Sequence, residues 1–159
     1  MTLSVTATSQ PPVRRLEFGE PAPSGQLAPK TPSFRLFYAE DNSINQRVLG
    51  AILKRLGLAC QMCNNGAHLL QALQNQQADL IFMDIQMPEL DGVEATRRIR
   101  SGEVGLHNSG VPIIGLSAFA RMGDANGYAA AGMTAYYDKP INAETIRGVL
   151  SDFDLLPPR

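Results

Sequence analysis

Apolar residues in this chain change their spacing repeatedly from Phe34 onward. Short apolar runs alternate with amphipathic stretches, each bounded by a turn residue. Phe34 to Ala39 is an apolar run with aromatics and predicts a first strand. Ser43 to Leu56 predicts a helix. Ser43 and Gln46 have capping-box spacing, Ile44, Val48, Ile52 and Leu56 recur at i, i+4, and Gly57 stands where a C-terminal glycine belongs. Leu58 to Cys63 predicts a second strand. Asn65 then caps a second helix with the stripe Leu69, Leu70 and Leu73. Asp79 to Asp84 is apolar throughout its middle, as expected of a parallel strand covered on both faces. Asp91 and Glu94 open a third helix to about Ser101, and Val111 to Ser117 predicts a fourth strand with Pro112 near its start. Ala120 to Ala131 predicts a weak fourth helix ended by Gly132. Gly123 and Gly127 fall inside it, and each interior glycine costs about 1 kcal/mol relative to alanine. Ala135 to Asp138 predicts a fifth strand, and Asn142 caps a fifth helix to about Phe153.

Alternating β and α units predict a parallel sheet with helices on both faces. Right-handed crossovers leave few topologies. The expected one is an α/β, flavodoxin-like, doubly wound (βα)5 fold with a five-stranded parallel sheet in the order 2-1-3-4-5. This domain is expected over residues 34–155, followed by a tail at 156–159. Residues 1–33 carry Pro11, Pro12, Pro21, Pro23, Pro29 and Pro32 without hydrophobic period, which predicts a disordered linker.

Composition narrows the function classes. The chain has 159 residues, a net charge of −1 and 18% charged residues, so it offers no electrostatic reason to bind nucleic acid or an anionic membrane. No run approaches the ~20 apolar residues of a membrane span. The opening residues do not read as a secretory signal, and a cytoplasmic setting is expected. Cys60 and Cys63 spell C-x-x-C, but on a strand these positions lie roughly 10 Å apart and face opposite ways. Two reduced structural thiols are expected there rather than a redox or metal site. His68 and His107 have no metal spacing. Arg97, Arg98 and Arg100 read as a solvated helix face.

Polar residues gather at the ends of the predicted strands. The first ends in Glu40-Asp41, the third in Asp84, the fourth in Ser117 and the fifth in Asp138-Lys139-Pro140. In an open α/β sheet the carboxyl ends of the strands form the ligand site. Three carboxylates brought together repel one another and call for a hard cation on oxygen ligands, such as Mg2+. A lysine and a serine add a positive charge and a hydroxyl for phosphoryl oxygens. The set suits phosphoryl transfer to a carboxylate, where positioning and charge neutralisation carry the rate.

AEDNSINQ around Asp41, MDIQMPELDG around Asp84, GLSA at Ser117 and YYDKPI at Lys139 resemble the signature of two-component receiver domains. The EDN-x-x-NQ and MD-x-QMP-x-x-DG spellings resemble especially the receivers of hybrid sensor histidine kinases. The resemblance implies that Asp84 accepts a phosphoryl group from a phosphohistidine. It implies that Glu40, Asp41, Asp84 and the Gln86 backbone carbonyl hold Mg2+, with Mn2+ as a substitute. Ser117 would move toward the phosphoryl group, Lys139 would pair first with Asp84 and then with that group, and the Lys139–Pro140 bond would be cis. Tyr136 matches a switch aromatic that turns inward with Ser117. The switching surface would be the fourth helix, fifth strand and fifth helix, through which a dimer could also form. A histidine kinase or a histidine phosphotransfer protein is the implied partner, and the resemblance allows for a tether to a membrane-bound sensor kinase in a longer protein. The sequence departs from the family pattern at bulky Phe37 and Tyr38 in the first strand and at Tyr137 in the fifth.

Other functions fit less well. A pseudo-receiver acting as a constitutive interaction module would lack a required residue, and none is missing. A phosphohydrolase working through an aspartyl phosphate needs a general acid two residues after its nucleophile. Gln86 holds that position and cannot exchange a proton at neutral pH. The chain is thus expected to act as a signalling module that catalyses its own phosphorylation and dephosphorylation, not as an enzyme on a separate substrate.

Overall fold

A computed structural model describes residues 33–119, 121 and 123–157. The expected linker lies almost wholly outside the described residues. Among the described residues there are five strands: β1 (Leu36–Ala39), β2 (Cys60–Cys63), β3 (Leu80–Asp84), β4 (Ile113–Ser117) and β5 (Ala135–Asp138). They form one parallel sheet in the order β2-β1-β3-β4-β5, as the sequence pattern predicts. Five α-helices follow them: α1 (Ser43–Arg55), α2 (Gly66–Leu73), α3 (Gly92–Arg100), α4 (Asp124–Ala131) and α5 (Ala143–Asp152).

The period-two alternation of the strands divides the core into two layers. Leu36, Tyr38, Leu80, Phe82, Ile114 and Leu116 face α1 and α5, where they meet Leu49, Leu53, Ile146, Val149 and Leu150. Phe37, Ala39, Ile81 and Met83 face the other way, onto Leu69, Leu73, Ala95, Ile99 and Tyr128. Each fully buried Leu, Ile or Phe side chain contributes roughly 1.5–3 kcal/mol by leaving water.

Local details differ from the sequence pattern in instructive ways. Asn42, not Ser43, is the N-cap of α1, and its side chain accepts from the amides of Ile44 and Asn45. A free carboxamide immediately after the acidic pair reaches both orphan amides, so Ser43 becomes the first helical residue. The buried face of α1 is carried by Leu49 and Leu53, while Ile44 and Val48 are 68% and 48% exposed. An i, i+4 row drifts around a helix of 3.6 residues per turn, so its end, at Ile52 and Leu56, packs on the core while its start is exposed. Gly123 lies outside α4, at φ 101, and precedes its first residue. The positive φ excludes it from a helix interior and sets the chain's entry into α4. Ala120 lies outside the described residues, and α4 begins at Asp124.

Arg100 is also not the solvated residue its neighbours suggest. Arg97 and Arg98 do lie exposed on Glu94. Arg100 instead donates to the carbonyls of Gly132 (2.8 Å), Ser109 (3.0 Å) and Val111 (2.6 Å). Burial lowers its guanidinium pKa from the ordinary value. Cys60 and Cys63 are free thiols, and burial pushes them up to about 12 and about 11.

Candidate phosphoryl-acceptor and metal site

Strand register assembles the site. Ala39 stands beside Met83, so the next residues along, Glu40 and Asp84, lie level at the carboxyl edge. Ser117 closes β4 opposite Asp138, and the Lys139 amide donates to the Ser117 carbonyl at 2.7 Å. The β1–α1 turn is fixed by Gln46, whose Nε2 donates to the Glu40 carbonyl at 2.7 Å and to Asn64 at 3.2 Å. In the β3–α3 turn the Gly92 amide bonds to the Ile85 carbonyl at 2.9 Å, while the Asp91 side chain caps α3. A Cβ at Gly92 would collide with the Asp84 carbonyl oxygen, so this position requires glycine for close approach.

Carboxylate oxygens of Glu40, Asp41 and Asp84 lie within 4.8 Å of one another. Glu40 and Asp84 are buried, whereas Asp41 is exposed. Lys139 lies between the two buried acids, with Nζ 2.6 Å from Glu40 Oε2 and 3.1 Å from Asp84 Oδ1. Glu40 is further held by the Tyr38 hydroxyl, which donates to Oε2 at 2.8 Å, and by the Asn42 amide, which donates to Oε1 at 3.1 Å. Tyr38 and Gln46 are contributions that sequence reasoning did not assign. The bulk of Tyr38 was visible, but its hydroxyl partner depends on both residues lying on one face of β1.

Electrostatics separates the two buried acids. Burial pushes the Asp84 carboxyl up to about 6, the Glu40 charge adds to the rise, and Lys139 opposes it. Burial acts on Glu40 in the same direction, but hydrogen bonds from Lys139, Tyr38 and the Asn42 amide hold it below its ordinary value. Lys139 is raised: burial would lower it, and the two carboxylates outweigh that. One ammonium thus faces three carboxylates. An all-oxygen donor set with surplus negative charge, open to solvent at Asp41, fits a hard divalent cation.

Ser117 is buried at the end of β4. Tyr136 lies on β5 two residues before the carboxyl edge, 40% exposed, with its ring edge-on to buried Tyr128 of α4 at 5.3 Å. The Lys139–Pro140 bond is cis. A groove of about 460 Å³ beside Asp41 is lined by Gln86, Met87, Pro88 and Asp91. Asp138 is exposed, away from the carboxylate trio.

Known proteins share this fold and parts of this sequence. A family model described as the response regulator receiver domain matches residues 36–151. The polar-differentiation response regulator DivK of Brucella anthropi is 33% identical, over 71% of this chain and 93% of its own length. The sensor histidine kinase GacS of Pseudomonas protegens is 31% identical over 80% of this chain. The match spans only 14% of that kinase, and 16% of a probable histidine kinase of Oryza sativa that is 32% identical. Among solved structures, the receiver domain of the sensor histidine kinase PA1611 of Pseudomonas aeruginosa superposes with a TM-score of 0.69. It is 34% identical, covers 76% of this chain and 97% of its own, and holds a magnesium ion in its active-site cleft. The Saccharomyces cerevisiae receiver of Ssk1, crystallised with the phosphotransfer protein Ypd1, belongs to a structure with a TM-score of 0.68, 28% identity and coverage of 77% of this chain and 90% of that one.

Proposed function

This chain belongs to the response regulator receiver domain family, and from that premise we propose that Asp84 accepts a phosphoryl group from a phosphohistidine in a two-component phosphorelay. The observation that carries the proposal is the convergence of Glu40, Asp41, Asp84 and Lys139 at one sheet edge. Lys139 and the Gln86 amide both lie on Asp84 Oδ1, which leaves Oδ2 as the nucleophilic oxygen. Oδ2 attacks phosphorus, the P–N bond breaks, and its electron pair returns to the imidazole nitrogen. Glu40, Asp41, Asp84 and the Gln86 carbonyl would hold Mg2+, or Mn2+ in its place. When bound, the ion would supply neutralisation of the negative charge that gathers at this site during transfer.

After transfer, Lys139 and the Ser117 hydroxyl are drawn to phosphoryl oxygens. Tyr136 then follows Ser117 inward, and the surface of α4, β5 and α5 changes. Gly127 inside α4, with glycines at both of its caps, supports its role as the remodelled element. Output passes through protein contacts, with a histidine kinase or a histidine phosphotransfer protein as partner, or with a second copy bound at α4, β5 and α5. Among the described residues no helix is long and apolar enough to cross a membrane. A cytoplasmic setting is part of the proposal.

Purified chain treated with phosphoramidate and Mg2+ should gain one phosphoryl group by intact mass. The gain should vanish with chelator and in Asp84→Asn. A folded, Mg2+-loaded chain that gains nothing would instead be a constitutive interaction module.

A further inference from the structure

Tyr38 buries a hydroxyl that donates one hydrogen bond, to Glu40. The side chain is 2% exposed, and its ring stands edge-on to Phe82 at 6.4 Å in the layer beneath α1 and α5. A phenylalanine would fill that space as well. A buried hydroxyl without a partner is costly, and the partner of this one is Glu40 Oε2, at 2.8 Å. The same oxygen receives the Lys139 ammonium at 2.6 Å, a shorter contact than Lys139 makes with Asp84.

The reading of Asp84 as phosphoacceptor, on which this inference rests, requires Lys139 to leave Glu40 for a phosphoryl oxygen. Glu40 is only 1% exposed, so water cannot replace the departing ammonium freely. Losing the charged partner of a buried carboxylate is strongly unfavourable unless another donor remains on it. We propose that Tyr38 is a positioning residue: its hydroxyl stays on Glu40 Oε2 when Lys139 departs, and so favours the phosphorylated state over the free one. The Asn42 amide secures only the other oxygen, at 3.1 Å. Beside the Mg2+ that Glu40 would help to hold, the Tyr38 hydroxyl is the donor that stays on Oε2 when Lys139 is released.

Tyr38→Phe removes that donor and keeps the ring. Wild type and variant are each titrated first with Mg2+ alone, then at saturating Mg2+ with beryllium fluoride, which adds to a carboxylate as a phosphoryl analogue. With Mg2+ alone Lys139 stays on Glu40, so any loss of Mg2+ affinity in the variant is the reference against which the analogue is read. With the analogue, half-saturation of the variant should rise by about tenfold, the worth of one hydrogen bond to a charged group. Equal analogue affinities would overturn the inference. A loss of the same size in Mg2+ affinity would also overturn it, because Tyr38 would then support Glu40 in every state. Failure of the wild type to load the analogue would remove the phosphoacceptor reading and this inference with it, whereas a defect confined to the variant leaves that reading intact.

Discussion

Lys139 and Glu40, separated by 99 positions in the sequence, form a 2.6 Å ion pair at the carboxyl edge of the sheet. Lys139 lies farther from Asp84, at 3.1 Å, so one cation is shared between two buried acids. Removing it leaves both without a compensating charge. Breaking a buried pair costs about 3–5 kcal/mol, and the Lys139 side chain keeps 16% of its exposure, so Lys139→Met should cost on the order of 2–3 kcal/mol near neutral pH. Mg2+ should restore part of this loss by taking over the neutralisation. Urea unfolding with and without the ion measures both quantities. An unchanged midpoint without Mg2+ would mean that solvent already neutralises the acids.

Asp84 has a pKa raised from 3.8 to about 6, so in the metal-free protein its ionised form opposes folding. Between those values the folded state binds more protons than the unfolded one, and the contribution of Asp84 to stability falls as pH rises. Above about 6 the cost is complete, roughly 3 kcal/mol from the shift and less after relaxation of the site. Asp84→Asn should therefore unfold at a higher temperature than wild type at pH 7.5 without Mg2+, and the difference should shrink toward pH 4. Glu40 is shifted downward and has the opposite slope, which the comparison between variant and wild type largely removes. A difference that stays constant from pH 4 to 7.5 would contradict the raised Asp84 value.

The fold was readable because the chain repeats one instruction: an apolar strand, a polar strand end, a capped helix. Asn65, Asp91 and Asn142 all cap the helices they were expected to cap. Polar residues ending apolar runs placed Glu40, Asp84, Ser117 and Lys139 at one edge, because parallel strands end together. Side-chain partners were harder to read. Arg100 sits among exposed arginines in sequence, and only the return of the chain at Ser109, Val111 and Gly132 brings it three carbonyls. The predicted row of α1 holds at Ile52 and Leu56, which pack on the core, and fails at Ile44 and Val48, which are as apolar as Leu49 and Leu53 but exposed, because composition does not tell which row meets the sheet. Tyr38 was noticed for its size, while its role depends on an oxygen two residues ahead.

Asp41 separates ion binding from folding. It is the exposed member of the carboxylate trio, so its charge is already solvated. Asp41→Asn should leave Mg2+-free stability within about 0.5 kcal/mol of wild type, as for most exposed substitutions. Its loss should nonetheless weaken Mg2+ binding by at least about tenfold, since a hard cation loses an anionic oxygen. Thermal unfolding across a Mg2+ titration reads both in one experiment, because a ligand bound only by the folded state raises the midpoint with its concentration. A variant still protected by the same Mg2+ concentrations as wild type would remove Asp41 from the proposed ligand set.

Arg100 ties the end of α4 to the rest of the domain, and a lysine there tests what its planar fork provides. Its Nε donates to the Gly132 carbonyl at the C-cap of α4, and Nη1 donates to Ser109 and Val111 ahead of β4. Gly132 has φ 99, and a Cβ there would press on the aliphatic part of the Arg100 side chain, so the two residues fit as a unit. A lysine keeps the charge but cannot reach carbonyls on both sides from one rigid plane. Hydrogen bonds to charged groups contribute about 1.5–3 kcal/mol each, so Arg100→Lys should cost about 2 kcal/mol. Because α4 carries Gly127 and few buried residues, the loss should appear locally first: amides of Ala129 to Met133 should exchange faster than those of α5. Native-state hydrogen exchange measures this directly. Equal acceleration in α4 and α5 would show that Arg100 stabilises the domain as a whole, with no particular hold on the helix proposed to switch.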